Sequence, residues 1–201
     1  KTGEALPAFM EQNKPVPEPA LFNIFVFHMA IDLPGITPPY IEAEASPELI
    51  PEGFNYYAAG HVHKIYRENF KTGLLVYSGC TETVDYRETQ LNKGFFLVKV
   101  DEEGNAETEF IELQPQRKFI IIEHDFSGLN PAKITERAIQ LIKDADEEGA
   151  IIVPVMKGTL PAEASRAEVD VATIRSAVKK ALLVHPVVLL RESEVSEEIV
   201  R

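Results

Sequence analysis

Residues 54–64 read Phe-Asn-Tyr-Tyr-Ala-Ala-Gly-His-Val-His-Lys. The aromatic and small apolar residues predict a strand, and Gly60 with the two histidines predicts its run into a loop. On an extended chain, residues i and i+2 point to the same side. His61 and His63 can therefore aim two imidazoles at one site, or one at each of two adjacent metals. Gly60 carries no side chain, so another group can approach its backbone closely. Neutral imidazole suits Zn, Mn and Fe alike. A bare His-x-His is a weak signal, and its weight depends on what surrounds it.

Upstream, residues 21–28 read Leu-Phe-Asn-Ile-Phe-Val-Phe-His. The nearly continuous apolar run predicts a short strand buried on both faces and ending in His28. Downstream, residues 73–79 predict a strand ending in Tyr77-Ser78-Gly79. Residues 94–100 and 107–113 predict further strands, punctuated by Gly, Asn and Asp. Strands at this spacing form one layer of a sandwich. Between the first two lies a segment broken by Pro34, Pro38, Pro39, Pro47 and Pro51, with room for a turn of helix in 43–50. Residues 1–20 hold Pro7, Pro15, Pro17 and Pro19 and read as a connector with a short helix near 6–12.

Past Gln116 the rhythm changes. Residues 118–126 predict a strand. Asn130-Pro131 is a helix start, because Asn caps and Pro suits the first helical position. Ile134, Ala138, Leu141, Ile142 and Ala145 then recur at helical spacing, and Gly149 marks a stop. Residues 150–155 predict a strand, 168–184 a second helix with Val171, Ile174, Val178 and Leu182 as its buried stripe, and 186–190 a last strand. The order β-α-β-α-β can bury a small core of its own. A domain boundary falls near 114–117. The chain starts without Met and ends in a polar tail, so both ends read as cut from something longer.

The chain has 201 residues, 45% hydrophobic and 26% charged, which is a globular composition. No window approaches a membrane span, and no signal peptide is evident. The single cysteine, Cys80, fits a reducing, cytoplasmic compartment. Net charge is -12, which argues against a non-specific nucleic-acid binder. Through Gln116 there are 8 Lys and Arg against 18 Asp and Glu; after it, 12 against 14. Bound divalent cations would offset the acidic first part; a plain soluble acidic surface is the simpler account. His124 and His185 lie far from the other three histidines and read as structural, and the acidic run 144–148 as a solvated helix end.

A strand ending in His28, one ending in Gly60-His61-Val62-His63 and one ending in Tyr77-Ser78-Gly79 resemble the second half of the calcineurin-like metallophosphoesterases. The longer match is narrower. Residues 54–64, Val76-Tyr77-Ser78-Gly79-Cys80-Thr81-Glu82 and Asn92-Lys93-Gly94-Phe95-Phe96-Leu97-Val98 closely resemble the meiotic-recombination-eleven nuclease family, whose bacterial relative is SbcD. The likeness spans about residues 20–192. It implies an α+β chain: the C-terminal part of a two-layer-sheet phosphoesterase over 21–115, a small capping domain over 116–195, and a tail over 196–201.

The resemblance implies that His28 and His61 ligate one metal and His63 the other, with two Mn²⁺ in the full site. The pair would clamp a phosphodiester for in-line hydrolysis. Cys80, Thr81 and Glu82 would form a loop near the DNA path. Lys64 and Arg67 would contact phosphate, although exposed basic residues at a strand end are often plain surface. The family also implies DNA and a coiled-coil ATPase of the ABC type as partners, homodimerisation, and exonuclease and endonuclease activity in double-strand-break repair. Met29 departs from the Gln or Thr common after the strand-end His. The superfamily's Asp-x-His, Gly-Asp-x-x-Asp and Gly-Asn-His motifs do not occur in the chain. They supply the bridging carboxylate, the Asn ligand and the leaving-group acid. The chain alone is therefore expected to be catalytically inactive, with no catalytic residue of its own. Two alternatives remain open: another metallophosphoesterase acting on small phosphoesters, and a non-enzymatic DNA- or protein-interaction module.

Overall fold

The structure is a computed structural model that describes residues 5–114 and 117–193. The fold is α+β, with several sheets and few helices. Contacts divide it into two units, Lys1–Gln116 and Arg117–Arg201.

In the first unit, a short helix α1 (Ala5–Gln12) precedes β1 (Ile24–His28), β2 (Tyr56–Gly60), β3 (Ile65–Phe70) and β4 (Gly73–Ser78). These strands form one sheet in the order β1-β2-β4-β3. β1 pairs parallel to β2 and β2 parallel to β4, while β3 and β4 form an antiparallel hairpin. The register explains the core. Phe25, Tyr57 and Leu75 stand abreast, as do Phe27, Ala59 and Tyr77. With a period of two, all six face one side of the sheet. There they pack with Ile31, Ile36, Ile50, Phe54, Val62 and Phe70. A 3-10 turn at Pro47–Leu49 occupies the proline-broken segment. β5 (Gly94–Val100) and β6 (Ala106–Glu112) pair in a separate two-stranded sheet.

Two expectations need correction here. β1 is not buried on both faces: Ile24 is 53% exposed and Val26 73%. β1 is the edge strand, and only its Phe25–Phe27 face meets the core; His28 shares the open face of Ile24 and Val26. β3 went unforeseen. As the other edge strand it carries exposed Arg67, Glu68 and Asn69, so it lacks an apolar alternation.

The second unit is a parallel sheet in the order β10-β8-β7, built from β7 (Phe119–Asp125), β8 (Ile151–Thr159) and β10 (Val187–Arg191). A two-residue strand β9 (Leu183–Val184) pairs with β8. Helix α2 (Pro131–Asp144) makes the crossover. The Asn130 side chain accepts from the Lys133 N–H, and Pro131 opens the helix. Ile134, Ala138 and Ile142 pack against Ile152, Met156, Leu160 and Ile174.

The long helix expected over 168–184 is not formed. Helix α3 covers only Val171–Arg175. The cause lies in another segment: the Asp146 carboxylate accepts backbone N–H groups of Lys179, Lys180 and Ala181. Those donors are thereby fixed in a turn that a helix would have to break. The acidic run at 144–148 is accordingly not just a solvated helix end. Residues 115, 116 and the 196–201 tail lie outside the described residues.

Candidate functional site

The end of β1 lies level with the end of β2, where His28 stands opposite Gly60. A Cβ placed on Gly60 would come within 2.6 Å of the His28 Nδ1. The missing side chain is what lets the His28 imidazole lie across the strand end. The chain then turns sharply. His61 has φ 83°, a left-handed conformation uncommon for a residue with a Cβ. This turn carries its ring to 5.5 Å from that of His28, edge to face. The His61 Nε2 also lies 3.5 Å from a Glu44 carboxylate oxygen, which itself accepts the Ala30 N–H at 3.0 Å. Tyr77, fully buried beneath, donates to the Met29 carbonyl and accepts from the Ile31 N–H. Burial pushes its phenol up to about 12. It ties the segment after His28 to the central strand.

His63 sits in a different setting. Its Nδ1 lies 2.7 Å from Glu88 Oε2. Glu88 is 3% exposed, and its other oxygen accepts the Tyr40 hydroxyl at 3.2 Å. Lys93, also 3% exposed, donates to the carbonyls of Glu88 at 2.7 Å and Leu91 at 2.9 Å. Cys80 completes the surroundings; one ligand atom each from His63, Cys80 and Glu88 lies within 4.8 Å of the others. Burial pushes the Cys80 thiol up, against the pull of the Lys93 ammonium.

The remaining candidates are engaged within the chain or exposed. The Lys64 ammonium donates to the Gly35 carbonyl at 2.9 Å, and Arg67 Nε to Thr108 Oγ1 at 2.7 Å. Thr81 is exposed, and a Glu82 carboxylate oxygen accepts the Thr83 N–H. In the second unit His124 packs its ring 4.8 Å from that of Phe126. Sequence reasoning missed Glu44, Tyr40 and Glu88. Glu88 is 25 residues from His63, and no local pattern marks the pair.

The set fits divalent metal ions. Imidazoles from two adjacent strand ends converge at the Gly60 cradle, and the Nδ1 of a third is engaged by a carboxylate, as a ligating histidine's second nitrogen usually is. Among the described residues, His63, Cys80 and Glu88 are the one group of three or more His, Cys, Asp or Glu residues whose ligand atoms lie within 4.8 Å of one another. No helix of the described residues is long and apolar enough to cross a membrane.

No family model matches the sequence. Two curated relatives do. The DNA double-strand break repair protein Mre11 of Methanopyrus kandleri is 33% identical over 175 residues, 83% of this chain and 36% of the relative. The DNA double-strand break repair protein Mre11 of Methanocaldococcus jannaschii is 39% identical over 91 residues, 41% of this chain and 22% of the relative. The chain thus spans about a third or less of the relatives it matches.

Proposed function

The chain belongs to the Mre11 family, and from that premise we propose that its first unit carries three imidazole ligands of a two-metal phosphodiesterase centre acting on DNA. His28 and His61 hold one ion and His63 the other. Two Mn²⁺ ions, when bound, supply the Lewis acidity that polarises the phosphodiester and activates water. What this chain's own residues do is place ligands. Gly60 leaves space for His28, the positive φ of His61 turns its ring inward, and Tyr77 anchors the strand end. The observation that carries the proposal is the 5.5 Å approach of the His28 and His61 rings over Gly60.

On this reading the whole protein is a DNA-repair nuclease, with exonuclease and endonuclease activity. It works in the cytoplasm as a homodimer beside a coiled-coil ATPase of the ABC type. Lys64, Arg67 and the loop Cys80-Thr81-Glu82 lie along the DNA path, and the second unit serves as a cap. The chain alone is inactive, because the motifs that supply the bridging carboxylate do not occur in it and two adjacent cations repel one another.

Calorimetry with Mn²⁺ tests the proposal, on this chain and on a version extended N-terminally with the family's carboxylate motifs. Two ions on the extended protein, weak or no binding by the short chain, and loss of the extended protein's binding and nuclease activity in His61→Ala are expected. Tight binding of two ions by the short chain would overturn the ligand assignment. Unchanged metal content after replacing both His61 and His63 would favour a non-enzymatic module.

A further inference from the structure

We infer that Glu88 is a positioning residue for His63: its buried carboxylate holds the imidazole proton on Nδ1 and leaves Nε2 as the outward-facing ligand atom. The use of Nε2 rests on the metal-centre reading above; the tautomer does not.

A carboxylate that only accepts hydrogen bonds, set 2.7 Å from the His63 Nδ1, matches the tautomer with the proton on that nitrogen. Left to itself, a neutral imidazole favours the other tautomer. The carboxylate is well fixed. Tyr40 donates to its second oxygen, and Lys93 holds the Glu88 backbone carbonyl. The turn that carries it is capped by the Asp85 side chain, which accepts from the Arg87 N–H. The Arg87 guanidinium in turn covers the Tyr40 ring at 4.1 Å.

A different use of the same residues is a single cation held by His63, Cys80 and Glu88. Two observations oppose it. Ligand atoms bound to one tetrahedral ion at about 2.0–2.1 Å stand roughly 3.3 Å apart, whereas Nδ1 and Oε2 are 2.7 Å apart. The buried Lys93 ammonium beside Cys80 would also repel a cation at low dielectric. Glu88 therefore acts on the histidine and not on a metal, as carboxylates behind ligating histidines do.

The test is ring ¹⁵N correlation spectroscopy of the 201-residue chain at about pH 9, above the ordinary imidazole range. The unsubstituted chain is expected to show His63 protonated on Nδ1. Glu88→Gln, whose amide oxygen still accepts, keeps that tautomer, and Glu88→Leu moves the proton to Nε2. Titrated into the N-terminally extended protein, Mn²⁺ then broadens the His63 ring signals, and Glu88→Leu requires about 10–100-fold more of it. A proton on Nε2 in the unsubstituted chain overturns the inference, even if Glu88→Leu does not fold. Broadening of Glu88→Leu at the same Mn²⁺ concentration overturns the link to the ligand. Absence of broadening at His28, His61 and His63 alike in the unsubstituted N-terminally extended protein sinks the metal-centre reading, while the tautomer judges Glu88 by itself.

Discussion

The two units use buried side chains differently. The second unit's buried cluster is aliphatic apart from Phe126 and Met156. The first unit buries Glu88 and Lys93, the two charged side chains among the buried described residues, and leaves one face of β1 open. Burying charge without full pairing costs several kcal/mol per ion. A fold built for stability alone would have little use for it. The contrast teaches that both units have an apolar core, and that the first adds a buried polar pair beside His63 where the second adds none among its described residues.

All six tyrosines lie in the first unit, so tyrosine near-ultraviolet circular dichroism reports on that unit alone. The largest effect expected is from Ile152→Ala, which empties a fully buried position in the second unit. It should cost about 2–5 kcal/mol. Far-ultraviolet signal should be lost on heating while the tyrosine signal persists; simultaneous loss would break the contrast. Next comes Tyr77→Phe, which leaves the Met29 carbonyl and Ile31 N–H without a buried partner. A cost of about 1–3 kcal/mol is expected, read as a lower melting temperature of the tyrosine signal.

Gly60→Ala separates site from stability. Its Cβ would displace His28, so Mn²⁺ broadening of the His28 ring should need about tenfold more metal. Thermal stability should change little; an unchanged metal response would remove the cradle from the site.

The smallest effects come from pH, where one group in each unit responds locally. Burial raises Tyr77 from 10.0 to about 12, so its stabilising contribution is whole below pH 10.0 and is lost as pH rises through about 12. Backbone donors from Lys179, Ala181 and Lys180 hold Asp146 below 3.8. Its contribution is present above 3.8 and fades as pH falls through the lower folded value. Alkaline titration should therefore disturb the tyrosine signal first. Acid should release the 179–181 turn, seen as faster amide exchange there, and Asp146→Asn should blunt that response.

What the sequence disclosed follows from range. The ends of β1, β2 and β4, and with them His28, His61 and His63, were legible because strand pattern and motif are local. β3 was hidden, since an exposed edge strand needs no apolar alternation. The helix over 168–184 was over-extended because its periodicity was real but the Asp146 capture of 179–181 is tertiary. Glu88 was invisible for the same reason: its role exists only once residue 63 and residue 88 are brought together.

Parallel pairing also sets an order in time. β3 and β4 are joined by the two-residue turn Lys71-Thr72, so their hairpin closes on a microsecond scale. β1 must bridge the 27 residues from Met29 to Asn55 before it meets β2, and such non-local pairing is slow because loop entropy is lost before contacts form. His28 sits at the far end of that last-arriving strand. In that order of events Gly60 and His61 are expected to be in place first, with the approach of the His28 ring to them completed by the longest-range strand pairing in the sheet.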